Sequence, residues 1–270
     1  ETKHLLLSMS RATIDRCLKR ARFTQPRHGI STTKPGSLLK KAIPIRTFTP
    51  WEDERPGFLE IDLVAHCGST IEGIYLNTLT ATDLATGWTE CEGLPNKTQA
   101  AVSQAIVTLR QNLPFPLLGL DSDNGSEFIN DTLYRYCLAE QITFTRSRPY
   151  KKNDQAHVEQ KNWSVVRHTI GYDRLESAEE LELLRSIYAD LRLYINFFQP
   201  VLKLVGKDKV DGKTIRKYDH AKTPYRRVLA LDDIPLAFKA RLTNQYVQLN
   251  PVTLRDHIDN KVAILWKLVR

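Results

Sequence analysis

Three carboxylates crowd the stretch GLDSDNGSEF, residues 119–128. Asp121, Asp123 and Glu127 fall within seven residues around an Asn-Gly pair, directly after the apolar run Pro116-Leu117-Leu118. Acids around one turn can hold a divalent cation, or they can simply be solvated. Two more, Glu60 and Asp62, lie in GFLEIDLVAH, where Phe58, Glu60, Asp62 and Val64 alternate with Leu59, Ile61 and Leu63 as in a buried strand. A further candidate is Glu159, in KKNDQAHVEQKNWSVVRH. There Lys152, Gln155, Glu159 and Asn162 recur at i, i+3, i+7 and i+10 as a polar stripe, against an apolar stripe of Ala156, Trp163, Val166 and Ile170. That polar stripe fits a solvated helix face as well as a set of donors aimed at phosphates or base edges.

Inward acids on apolar strands repel one another and rise in pKa unless a cation lies among them. Two on neighbouring strands and one on a later helix can converge at the end of a sheet. Such a cluster suits Mg2+, which takes oxygen ligands and keeps several waters. Two ions roughly 3.5–4 Å apart would activate an attacking oxygen and stabilise the leaving one in an in-line displacement at phosphorus.

The elements that must position these acids follow from the patterning. The stretch 57–66 predicts a first strand. TIEGIYLNTLTATDLATGWTECEGL predicts two more, joined at Asp83–Gly87 into an antiparallel meander with the first. KTQAAVSQAIVTLRQN has helical spacing and stops at Pro114. PLLGLDSD is near-continuously apolar, as expected of a parallel strand covered on both faces. The helix SEFINDTLYRYCLAEQ follows, with Glu127 expected in its first turn, where the helix dipole favours a carboxylate without catalytic duty. A short strand, ITFTR, precedes a long helical region from about Asn153. Ser177 and Glu180 form a capping-box signature ahead of a helix ending at Pro200. The order β-β-β-α-β-α-β-α predicts a mixed α/β sheet with helices on both sides. Residues 203–227 have little period and are expected to form a surface arm. Asn250 and Pro251 open a last helix striped by Ile258, Val262, Leu265, Trp266 and Val269, which could pack on the body or on another subunit.

Charge is unevenly spread over the 270 residues, whose net charge is +8. Residues 1–50 carry 11 Lys/Arg against 2 acids and residues 200–227 carry 9 against 3, whereas 51–199 carry 13 against 22. An acidic middle between basic arms suits a centre that gathers cations and flanks that hold a polyanion. The segment LSMSRATIDRCLKRAR predicts a short basic helix capped by Ser10, like the second helix of a helix-turn-helix, with Arg11 and Arg16 among its exposed cations. Residues 26–56 hold five prolines and read as an extended linker. Cys17, Cys67, Cys91 and Cys137 are too far apart for zinc knuckles and too few for a disulfide scaffold, so reduced, packed thiols are expected. With no membrane span and no signal-peptide pattern, the chain is read as soluble and intracellular. It opens on Glu1, almost within an amphipathic pattern, so further domains are expected upstream.

Asp62 on a strand, Asp123-Asn124-Gly125 after another, and Glu159 on a helix with 35 residues between the last two acids resemble the D,D-35-E set of retroviral integrases and bacterial insertion-sequence transposases. The resemblance covers about residues 57–200, and FFQP and KTPYRR look like the segment closing that core. It implies an RNase H-like catalytic core binding two Mg2+ or Mn2+ ions, with Asp62 bridging both, Asp123 on one and Glu159 on the other. Water would cut a phosphodiester at an element end, and the freed 3′-OH would attack target DNA. No covalent protein–DNA intermediate is implied. A homo-oligomer on double-stranded DNA and a cytoplasmic, nucleoid-associated bacterial setting follow. The chain departs from the retroviral pattern in lacking a His/Cys zinc domain.

The corresponding divisions are a partial helix-turn-helix (1–28), a Pro-rich linker (29–56), the catalytic core (57–200) and a basic arm with C-terminal helices (201–270). Gln155 and Asn162 are candidates for DNA contact, and Lys151, Lys152, Lys161 and Arg167 for phosphate. Glu60 and Asp121 share strand faces with Asp62 and Asp123 and are candidates to support the ligands from behind. Trp51, Trp88 and Trp163 are read as core. Two other readings are a metal-dependent nuclease of RNase H type that cuts without joining, and a DNA-binding protein derived from a transposase.

Overall fold

A computed structural model describes residues 9, 10, 13, 16, 42–46, 55–148, 152–210 and 213–269. Arg11, Lys151 and most of the expected helix-turn-helix lie outside these residues. So does Trp51, and of Lys152 only the backbone is described.

The acid-bearing strand is central. β1 (Phe58–Ala65) pairs antiparallel with β2 (Asn77–Asp83), which pairs antiparallel with β3 (Thr89–Leu94). On its other side β1 pairs parallel with β4 (Gly119–Ser122), and β4 with β5 (Thr143–Arg146). The resulting order β3-β2-β1-β4-β5, antiparallel then parallel, is the RNase H-like α/β arrangement expected. The meander closes at the Asp83–Gly87 turn: Asp83 Oδ2 accepts from Thr86 N and Oγ1, and its Oδ1 from Gly57 N at 2.8 Å. Gly57, at φ +112°, lies where an added Cβ would stand 2.4 Å from the Pro116 carbonyl, so only glycine can open β1 against the strand-β4 approach.

Helices cover both faces. On one, Leu59, Ile61, Leu79, Ala81 and Leu120 pack against α1 (Gln99–Asn112) and α2 (Asp131–Ala139). On the other, Val64 and Cys91 meet α3 (Ala156–Lys161), which continues through a π-helical turn (Asn162–Arg167) and a last turn (His168–Ile170). Against these lies α4 (Ala178–Phe198), whose start has both hydrogen bonds of the Ser177/Glu180 capping box. Arg192 ties α4 to the sheet, since its guanidinium meets the buried Glu90 carboxylate through two bonds of 2.6 and 2.8 Å.

Three local expectations are corrected. Residues 203–227 are not an irregular arm. They form the hairpin β6 (Leu204–Val210) and β7 (Lys213–Tyr218), then α5 (Pro224–Ala230). Val205, Ile215 and Tyr218 are exposed and no described side chain of the hairpin is buried, so among these residues no buried face prints an alternating pattern. Trp163 is not core but 62% exposed, whereas Trp88 is buried as expected. Glu127 is not in the first turn of α2, because Asn130 takes the cap by accepting from Leu133 N and leaves Glu127 in the preceding turn.

After α6 (Leu236–Gln248), the final helix α7 (Pro251–Val269) packs on this body. Ile258, Val262 and Leu265 are buried against α4, Lys261 Nζ meets Asp190 at 2.7 Å, and Trp266 Nε1 donates to Ile170 O. Cys67, Cys91 and Cys137 are buried thiols. His66 is buried too, its Nε2 2.7 Å from Thr78 Oγ1, and burial pushes its pKa down to about 3, which marks it as structural. No described helix is long and apolar enough to cross a membrane.

Candidate active site

The pleat of β1 sends Leu59 and Ile61 into one core and Glu60 and Asp62 to the face covered by α3. Asp62 is partly buried there. Its Oδ1 accepts from Leu63 N at 2.8 Å and its Oδ2 from Asn162 Nδ2 at 2.6 Å. Burial first, then the charges of Asp123 and Glu159, push its pKa up to about 7, against the pull of the Leu63 N–H and Asn162. The carboxylates of Asp62, Asp123 and Glu159 therefore share one electrostatic neighbourhood.

Asp123 follows β4 directly, and its Oδ1 accepts from Gly125 N at 2.8 Å. A Cβ on Gly125 would lie 2.8 Å from that oxygen and 2.7 Å from the Glu127 carboxyl carbon, so the glycine is what lets the turn fold over Asp123. Asn124 ties the turn to β5, donating to Ser147 O and accepting from Arg146. Glu127 is buried beside Asp123. Burial raises its pKa and the Asp123 charge adds to the rise, so it is part of the acid neighbourhood rather than a dipole partner of α2. Glu159 is exposed on α3. Among the described residues, no three acidic, His or Cys side chains stand close enough to hold an ion together as placed. As placed, Asp62 is bonded to Asn162 and Asp123 to Gly125 N. The donor set is nonetheless all carboxylate oxygen, and the raised pKa of Asp62 is the signature of a place where a cation would lower the energy.

Behind these acids, Glu60 and Asp121 are fully buried and face each other in the β1–β4 register. Glu60 Oε2 accepts from His157 N and Val158 N, both at 3.0 Å, and so holds the start of α3. Asp121 accepts from Thr145 Oγ1 at 2.7 Å, and burial pushes its pKa up to about 6. Arg46 joins the two, an interaction the sequence pattern did not suggest. The available signal was two inward acids without a cation.

The helical candidates for DNA contact are redistributed. Gln155 is buried and donates to Asp121 O. Arg167 donates to Ala65 O and Gly171 O and lies over the Tyr172 ring at 4.7 Å. Asn162 spends its amide on Asp62, and burial lowers the pKa of Lys161. Arg16 is exposed, with a bond to Thr13 Oγ1, and Thr13 N donates to the expected cap, Ser10. What α3 and its π turn do expose is Ala156, His157, Glu159, Gln160, Trp163 and Ser164. Trp163 is tilted against His168 at 5.9 Å on the wall of an open groove of about 940 Å3. None of the three acids lines that groove.

Residues 52–152 match the integrase core domain family, which includes Asp62 and Asp123; Glu159 lies seven residues beyond the matched segment. The chain is 39% identical over 227 residues to the uncharacterized protein y4rM of Sinorhizobium fredii, covering 84% of this chain and 65% of that protein. It thus spans just under two thirds of that relative's length. A solved structure with a likeness to it is the catalytic core domain of BIV integrase, at a TM-score of 0.41 and 19% identity over 63% of this chain and 91% of that one.

Proposed function

We propose, from the match of residues 52–152 to the integrase core domain family, that this chain is a DDE integrase or transposase that cuts DNA at the ends of a mobile element and joins the freed 3′-OH to target DNA. The observation that carries this reading is the placement of Asp62 on β1, Asp123 directly after β4 and Glu159 on α3, near enough that the charges of Asp123 and Glu159 help raise the pKa of Asp62. Acids from β1, from the end of β4 and from α3 act on one another there, and such a set answers to phosphoryl transfer assisted by divalent metal.

Asp62, Asp123 and Glu159 would hold Mg2+ or Mn2+, two ions per site, which would supply positive charge to the phosphodiester and an activated hydroxyl at neutral pH. The chain's own residues do the positioning. Asn162 and the Leu63 N–H fix Asp62, and the Gly125 N–H fixes Asp123. No Ser or Tyr nucleophile is required. The basic flanks 1–50 and 200–227 hold the DNA, and two DNA ends are brought together by a homo-oligomer.

Trp163, one helical turn beyond Glu159 and exposed, is the aromatic placed to meet a base at a frayed end. Base–aromatic stacking contributes about 1–3 kcal/mol. Trp163→Ala is therefore expected to weaken binding of single-stranded or frayed ends roughly tenfold, with an unchanged melting temperature. Equal affinity of the two proteins in a fluorescence anisotropy titration would refute that contact.

The function is tested by incubating the full chain with duplexes carrying candidate element ends, target DNA and Mg2+, and resolving the products. A cut at the 3′ end followed by joining is the expected result, and chelation with EDTA is expected to stop both. Cutting without joining would instead assign a nuclease of RNase H type. Metal-independent binding with neither step would assign a DNA-binding derivative.

A further inference from the structure

We propose that Arg46, in the segment that leads from the basic N-terminal arm into the core, is a positioning residue for Glu159. The site it acts on is the one proposed above, so the inference rests on that reading.

Glu60 and Asp121 are neighbours across two parallel strands and have no exposed surface. Side by side in a dry interior, two carboxylates need a cation between them. It comes from outside the sheet. Arg46 Nη1 lies 2.9 Å from Glu60 Oε1 and 3.6 Å from Asp121 Oδ2. Its Nη2 donates to Asp154 O at 2.7 Å, in the 3-10 turn Lys152–Gln155 that leads into α3. One planar guanidinium thus reaches both strands and the approach to the helix, a geometry that a lysine ammonium does not reproduce.

The free side of Glu60 transmits this hold. Its Oε2 accepts the amides of His157 and Val158, the second and third residues of α3, and Glu159 is the next residue. The order of contacts is Arg46 to Glu60, Glu60 to the helix start, and the helix start to the carboxylate that acts on Asp62. Removing Arg46 would leave Glu60 beside Asp121 without its cation, and the rotamer that cups the two amides would lose its support.

Arg46 is held in place by the chain around it. Ile43 is fully buried, Ile45 bridges parallel to Arg146, and Pro44 O and Ile43 O accept from Arg146 N and Nε, each at 3.0 Å. Residues 42–46 therefore lie along the outer edge of β5 as an added rung and cover that edge.

The test uses the full chain with Arg46→Lys and Arg46→Met. Amide hydrogen exchange at His157 and Val158 is expected to rise about tenfold or more in both variants, with the β1–β2 ladder unchanged. On DNA and Mg2+, kcat for end cleavage is expected to fall about tenfold in Arg46→Lys and further in Arg46→Met, with KM for DNA within about twofold. Should Arg46→Met fail to fold, Arg46→Lys carries both measurements. Unchanged exchange at the two amides, or loss spread evenly over the whole sheet, would overturn the proposal. The exchange measurement needs no DNA, so it decides the coupling even if the cleavage assay overturns the proposed function.

Discussion

Asp62→Asn is expected to abolish cleavage and joining while making the metal-free protein more stable at pH 8. Loss of the central carboxylate removes a ligand from the proposed cation site, where several kcal/mol of charge stabilisation would be lost, or roughly a thousandfold or more in rate. The stability effect has the opposite sign. The folded pKa of Asp62 is about 7, above the ordinary 3.8, so its neutral form is the one the fold favours. The stability it contributes is present below pH 4, falls as pH rises toward 7 and is gone above it. An asparagine never carries the charge and so escapes that loss. Allowing for solvent at this partly exposed site, the gain at pH 8 is on the order of 2 kcal/mol, or about 5 °C in melting temperature. Added Mg2+ should raise the melting temperature of the native protein and leave Asp62→Asn unmoved. A variant that melts below the native protein in EDTA at pH 8, or that still responds to Mg2+, would count against both the buried charge and the cation site.

The sequence was most legible where one element carries its own signal. The alternation through GFLEIDLVAH places Asp62 on a pleat face whatever the tertiary structure does, and Ser177 and Glu180 cap α4 through bonds three residues apart. It was least legible where phase depends on a distant partner. The stripe drawn through Ala156, Trp163, Val166 and Ile170 assumed an unbroken α-helix. The structure instead buries Gln155, Val158, Val165, Val166 and Ile170 and turns Trp163 out. The π-helical turn Asn162–Arg167 shifts the phase, and the Glu60 carboxylate fixes the rotation of the helix start from 97 residues away. Arg46 was hidden because its partners Glu60 and Asp121 lie on strands that a linear reading of a proline-rich linker does not bring near. Glu127 was misplaced for a local reason: Asn130 is the better cap, so the helix begins later than its apolar pattern.

Glu159→Gln is the complementary case, expected to abolish both chemical steps with no change in folding. Glu159 is exposed on α3, so replacing its carboxylate by an amide of the same shape removes no buried contact, and surface substitutions of this kind shift stability by less than about 0.5 kcal/mol. DNA affinity should hold or rise slightly, because one negative charge facing the polyanion is gone. The loss of rate should again be roughly a thousandfold. Position, rather than charge, is then tested by moving the acid to the adjacent exposed residue in the double variant Glu159→Gln/Gln160→Glu. It restores the net charge and the helix composition, but one residue is about 100° of rotation on an α-helix, which carries the carboxylate away from Asp62 and Asp123. The double variant should remain inactive, and the pKa of Asp62, read by NMR titration of its carboxyl carbon, should fall in both variants as the neighbouring charge is withdrawn. Activity in Glu159→Gln, or rescue from position 160, would show that this carboxylate is part of the surface and that the third acid must be sought elsewhere, with buried Glu127 beside Asp123 the first to try.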